Sequence, residues 1–162
     1  QMQMKAESLL RMIKADPEEY YIGISNLHTN LNELGAGINE SLSAEKSGEV
    51  FPGGSVYFKD IGIFSMLIPS SRDPWTQDFY ERMVKPIQSY DEKYHTELFE
   101  TAVKFIEHDG IVAKAAEALF LHKNTIRYRI NKIKELLHME ESELHFYEQL
   151  SIAIKLHKIY TR

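Results

Sequence analysis

Residues 113–137 read AKAAEALFLHKNTIRYRINKIKELL. Two short helices joined by a tight turn account for this pattern. Ala116, Leu119, Ile126 and Ile130 fall where crossed helices need small or apolar contacts. In the second helix Ile126, Ile130, Ile133 and Leu137 recur at steps of four, three and four, which predicts one buried stripe. Lys123, Asn124, Thr125, Arg127, Tyr128, Arg129 and Lys132 are left on the other faces. The spacing predicts a helix-turn-helix whose second helix, about residues 123–137, enters a DNA major groove.

The local charge agrees. Between Val112 and Lys134 there are six basic residues against Glu117 alone, in a chain of 162 residues with net charge -5. Charge distribution decides more than the sum for a nucleic-acid partner. The bland alternative is a solvated helix face, which is what most basic runs are. His122 is placed to cap the second helix, so Lys123, Asn124 and Thr125 occupy its first turn. There the helix N-terminus favours a phosphate and side chains reach base edges first. Lys123 and Thr125 suit phosphate, Asn124 suits adenine, and Arg127 suits guanine. Tyr128 offers a hydroxyl and a ring, Arg129 and Lys132 suit the DNA backbone, and Lys114 is a further DNA-binding candidate. Phe120 stands where such turns often have glycine.

Outward from this stretch, residues 96–106 form an amphipathic helix stopped by Asp109-Gly110, with Thr96 as its cap. Residues 146–160 form a last helix, apolar on more than one face and so buried on two sides. Upstream, Asp73-Pro74 starts a helix with the apolar stripe Phe79, Tyr80, Met83, Val84 and Ile87, which Pro86 should kink or end. Residues 90–95 read as a polar connector. Residues 20–25, YYIGIS, read as a strand. Leu31, Leu34, Ile38 and Leu42 then repeat at helical spacing despite Gly35 and Gly37. Residues 56–59 and 62–68 read as two short strands or one bent strand, and residues 2–14 as an amphipathic helix ended by Asp16-Pro17. The fold class is therefore α+β: an α/β domain over residues 1–90, then an all-α domain over residues 91–162.

Composition excludes several functions. Cysteine is absent, so disulfides and thiolate metal sites are ruled out and a cytoplasmic setting is compatible. No apolar run approaches the roughly 20 residues that span a bilayer, and the N-terminus does not read as a signal peptide. The seven histidines show no paired-ligand spacing, so no metal or cofactor is expected. No Ser/His/Asp grouping or phosphate-binding glycine loop stands out, and the chain is not expected to be an enzyme.

Residues 118–129, ALFLHKNTIRYR, resemble the C-terminal DNA-binding domain of the PucR/CdaR-type transcriptional regulators (purine catabolism and sugar-diacid regulators). In that family an ALF-x-H-[RK]-N-T-[LI]-R-Y-R run opens the recognition helix. Pro86-Ile87, Tyr90-Asp91 and Thr96-Glu97-Leu98 resemble its approach to that domain. YYIGIS and VYFKDIGIFSMLI are similar to the degenerate GGDEF-like domain these regulators carry. The only Gly-Gly, Gly53-Gly54, is followed by Ser55-Val56-Tyr57 and lacks the carboxylates of a cyclase. Ile111 departs from the family's capping residue, a role expected of Asp109 instead. The GGDEF-like part is incomplete, so a fragment of a longer regulator is expected.

The resemblance implies an activator of a catabolic operon, acting as a homodimer on a double-stranded operator. A domain outside the fragment would sense a small-molecule effector. The competing reading is a protein-interaction or ligand-sensing module whose helical domain mediates dimerisation.

Overall fold

The computed structural model describes residues 8, 12, 21–48, 50 and 54–161. The chain divides into two compact units, Gln1–Ser70 and Ser71–Arg162. The helix expected over residues 2–14 lies outside the described residues, apart from Ser8 and Met12, which are both helical.

The first unit is built on a parallel pair of strands, β1 (Ile22–Ile24) and β2 (Ser55–Tyr57), with Gly23 opposite Val56. A parallel pair needs a crossover, and helix α1 (Leu34–Lys46) lies on that connection. Asn30 begins it: its side chain accepts the Asn32 N–H at 3.0 Å and caps a 3-10 turn over Leu31–Glu33. The helix comes so close to the strand that a Cβ on Gly23 would sit 1.8 Å from the Ser41 carbonyl oxygen. Such an approach demands small residues, and Ser43, Ala44 and Ser47 are the buried ones. The large apolar residues that mark the helix in sequence, Leu31, Leu34, Ile38 and Leu42, all point outward.

The segment after β2 corrects the sequence reading. Residues 62–68 do not form a strand; a 3-10 turn (Phe58–Asp60) leads into helix α2 (Phe64–Ser70). Gly62 takes φ +54 in the turn between the 3-10 segment and α2. Beyond it Phe64, Leu67 and Ile68 are buried at helical spacing. A short apolar run does not distinguish strand from helix by periodicity alone.

The second unit holds five helices: α3 (Pro74–Tyr94), α4 (Leu98–Glu107), α5 (Val112–Ala118), α6 (Lys123–Leu137) and α7 (Glu143–Tyr160). Asp73 caps α3, accepting the Trp75 N–H at 2.8 Å, with Pro74 in the first turn. Pro86 does not end this helix. It continues through the expected connector to Tyr94, so the break between compact units falls before α3 rather than after residue 90. Met83 and Val84 of α3 bury themselves against Ala153 of α7. Ile87 joins the main core with Leu98, Phe105, Ile126, Phe146 and Leu150.

The α3–α4 junction shows why α3 belongs here. Thr96 is not the cap of α4. The Asp91 carboxylate reaches across instead, accepting the Leu98 N–H at 2.8 Å, the Phe99 N–H at 2.9 Å and the Thr96 hydroxyl at 2.5 Å. One carboxylate thus satisfies amide groups that the start of a helix leaves open, at the end where negative charge is favoured.

Helix α7 is buried along Phe146, Leu150, Ala153, Ile154 and Leu156, as its apolar faces predict. Its C-terminal half is tied down by Tyr160, whose hydroxyl donates to the Ser71 carbonyl at 2.6 Å. His157 is not a surface histidine: Nδ1 lies 2.8 Å from the Tyr80 hydroxyl and its ring meets Phe99 edge-on. Burial holds its pKa below the ordinary imidazole value. Among the described residues, no helix is long and apolar enough to cross a membrane.

Candidate nucleic-acid interface

The interface is carried by α5 and α6. Ala115 and Ala116 are buried, as a tight crossing requires. Helix α5 closes with two backbone hydrogen bonds, Phe120 N–H to the Glu117 carbonyl (3.2 Å) and Leu121 N–H to the Ala116 carbonyl (2.9 Å). This closure needs a left-handed residue, and Phe120 takes it with φ +54. Leu119 and Leu121 pack against the core on either side. Asp109 does not cap α5; it has φ +58 and belongs to the closing turn of α4, while Ile111 precedes α5 without a side-chain cap.

His122 begins α6 as expected, its Nδ1 accepting the Asn124 N–H at 3.2 Å. That acceptor role places the ring proton of the neutral form on Nε2. Ile126, Ile130 and Ile133 are buried and Leu137 partly so, which orients the rest of the helix.

The basic and polar residues then separate into two groups. Lys123, Asn124, Arg127 and Tyr128 are exposed, with Thr125 partly so, on the first turns of α6; Lys114 is exposed on α5. Arg127 Nη1 donates to Asn124 Oδ1 at 3.1 Å, so these two side chains are held together. Arg129 turns the other way. Its side chain is 17% exposed, and its guanidinium donates to Glu97 Oε2 at 3.1 Å and Thr101 Oγ1 at 3.0 Å. Lys132 donates to Glu135 at 2.8 Å and lies 5.4 Å from the Tyr90 ring centre. The hydrogen bond to Glu135 holds its pKa above the ordinary lysine value. Lys134, counted in the local positive charge, is buried, paired with Glu143 and set over the Phe146 ring.

What remains outward is a compact set at the positive end of a capped helix. Its donors and acceptors suit phosphate oxygens and the edges of purines. Two features escaped the sequence reading. Arg129 pairs with a helix far back in the chain, which spacing does not reveal. The outward ring of Phe120 was legible only as a missing glycine.

Residues 98–156 match the PucR C-terminal helix-turn-helix domain. The PucR-type match begins at the first residue of α4 and ends within α7, and so encloses the whole interface. Two curated relatives, both from Bacillus subtilis (strain 168), are similar over most of the chain. The proline-responsive transcriptional activator PutR is 28% identical over 145 residues, covering 88% of this chain and 35% of its own length. The DNA-binding transcriptional activator AdeR is 23% identical over 142 residues, covering 86% of this chain and 34% of its own. The chain thus spans about a third of the length of these relatives. No solved structure matches it significantly.

Proposed function

We propose that this chain is the DNA-binding part of a transcriptional activator of the PucR type, acting in the cytoplasm and without catalytic activity of its own. The first turns of α6 enter the major groove of a double-stranded operator. Lys123 and Thr125 meet phosphates, Asn124 and Arg127 meet base edges, and Tyr128 and Lys114 meet the backbone. The observation that carries this reading is the outward cluster of Lys123, Asn124 and Arg127 at the His122-capped end of α6. The PucR-type match over residues 98–156 and the names of the two relatives support it. Arg129 and Lys132, given to DNA by spacing, are better read as fastening α6 to the rest of its unit.

The test is enrichment of duplexes from a random-sequence pool, followed by titration of the winner against the chain. A shared motif among the bound duplexes, with affinity falling steeply as salt rises, is the expected result. A pool that never enriches, or a flat salt response, overturns the reading.

We infer further that the first unit is a piece of a GGDEF-like α/β domain that pairs two copies of the regulator. Its parallel β–α–β unit supports the first part, and the exposed stripe Leu31, Leu34, Ile38 and Leu42 supports the second. In a regulator as long as the relatives, effector sensing falls to the remainder of the protein. Sedimentation of the chain checks the pairing: a monomer at high concentration rules it out.

A further inference from the structure

Phe120 is the residue in the turn whose presence the free chain does not explain. Among the described residues, four non-glycine residues take a positive φ: His95 (+53), Asp109 (+58), Phe120 (+54) and His138 (+55). Each follows a helix. Aspartate and histidine tolerate this conformation better than most residues; a bulky apolar side chain there is an outlier. Phe120 is also 97% exposed, so its ring recovers nothing by burial. The turn's own apolar requirement is already met by Leu119 and Leu121, which pack on the core. Glycine would close the helix with less strain.

Strained residues that contribute nothing to packing point to function. The backbone of Phe120 is fixed by its hydrogen bond to Glu117 and by that of Leu121 to Ala116, so the ring is presented from a defined place. That place is two residues before the cap His122 and three before Lys123, beside the phosphate-binding end of α6. A DNA strand at that end offers an uncharged surface as well, the C–H faces of the deoxyriboses between phosphates. We propose that Phe120 is a DNA-contact residue whose ring packs on a deoxyribose at the edge of the groove that α6 enters. This rests on the reading of α6 as the DNA-reading helix.

A sugar contact has three signatures. It is blind to base sequence, it displaces no counterion, and it is absent from the folded free chain. The probes are a duplex recovered by the wild-type chain from a random pool and an unrelated duplex of the same length. Phe120→Gly is expected to weaken binding to both about tenfold, the scale of exposing an aromatic ring that had been covered in part. The slope of log affinity against log salt stays that of wild type. The melting temperature does not fall, because glycine suits φ +54. Phe120→Tyr binds nearly as wild type does.

Equal binding by Phe120→Gly overturns the proposal, as does a loss confined to the selected duplex or a loss that tracks a lower melting temperature. A variant that changes self-association but not duplex affinity also overturns it, and makes Phe120 part of a contact between copies. A wild-type chain that retains no duplex overturns the DNA reading of α6 along with it.

Discussion

Arg129 of α6 donates to the buried hydroxyl of Thr101 in α4 at 3.0 Å, across 28 residues of sequence. The same guanidinium reaches Glu97, and the Thr101 hydroxyl in turn donates to the Glu97 carbonyl at 2.7 Å. A cation that looks like part of a basic reading surface therefore serves as a clamp between helices. Arg127, two residues earlier and on the opposite side, has Asn124 alone as a hydrogen-bond partner among the described residues.

The two arginines should consequently fail in different assays. Arg129→Ala is expected to cost about 1–3 kcal/mol of stability, since it removes charge-assisted hydrogen bonds and leaves Thr101 short of a donor. Arg127→Ala should leave the melting temperature nearly unchanged and cost about 1–3 kcal/mol in binding to the selected duplex, with relaxed base preference. Thermal denaturation and fluorescence anisotropy on both variants check this. The assignment fails if the two columns of results are exchanged.

Lys123→Ala should weaken selected and unrelated duplexes alike and reduce the salt slope by about 1, the loss of one phosphate contact. Titrations at several salt concentrations measure it. An unchanged slope would remove Lys123 from the phosphate-binding set.

Removing the Asp91 carboxylate should loosen the start of α4. Asp91→Ala strips Leu98 and Phe99 of their acceptor, and a lost helix cap costs about 1–2 kcal/mol. Thr96→Val deletes only the hydroxyl that donates to Asp91 and should cost less. Denaturant titration of the two variants gives the order; equal stabilities would mean that Asp91 caps nothing in solution.

Gly23→Ala tests the closest approach in the first unit. The new methyl group would lie 1.8 Å from a backbone oxygen of α1, which no rotamer change relieves. A cost of about 1–3 kcal/mol or more is expected, the range for overpacking a tight contact. Gly35→Ala meets nothing within 4 Å and should be neutral or stabilising through helix propensity. Melting curves for the pair decide it.

Two histidines should respond to pH with opposite signs. His28 lies 3.0 Å from Glu40 and 3.4 Å from Glu33. The hydrogen bond to Glu40 raises its pKa despite some desolvation. The stability it contributes is full below the ordinary imidazole value and is lost as pH rises through the raised one. For Glu40, partial burial works against ionisation, but the hydrogen bonds from His28 and Asn26 leave its pKa lowered. Its share is lost only when pH falls through that lowered value. The contact is thus strongest between the two. His157, held neutral by burial, works in reverse: acidification below the ordinary imidazole value penalises its helix. NMR titration of the two rings checks the directions, and shifts of the same sign would contradict the structure.

What was legible in the sequence was local. The cap His122, the buried stripe Ile126, Ile130 and Ile133, and the start of α3 at Asp73-Pro74 depend on neighbours within a turn or two. Residues 62–68 were misread because a brief apolar run fits either period. The junction at residues 90–95 looked like a linker because its polar residues serve a helix seven positions on. Arg129 and Lys134 looked free because Thr101, Glu97 and Glu143 come to them through the fold. The outward face of α1 went unanticipated because the apolar period marks a helix without saying which side is covered.

The bond between Arg127 and Asn124 has a kinetic side. Under the base contact proposed for Arg127, the Asn124 amide oxygen stands in for a base edge in the free chain, so the guanidinium is partly ordered before any duplex arrives. Preorganisation of this kind reduces what must be immobilised on docking. On that reading, a mismatched site leaves Arg127 to return to Asn124 instead of being stranded without an acceptor. On the same reading, rejection is quick, as a reader that tries very many wrong sites for each right one requires.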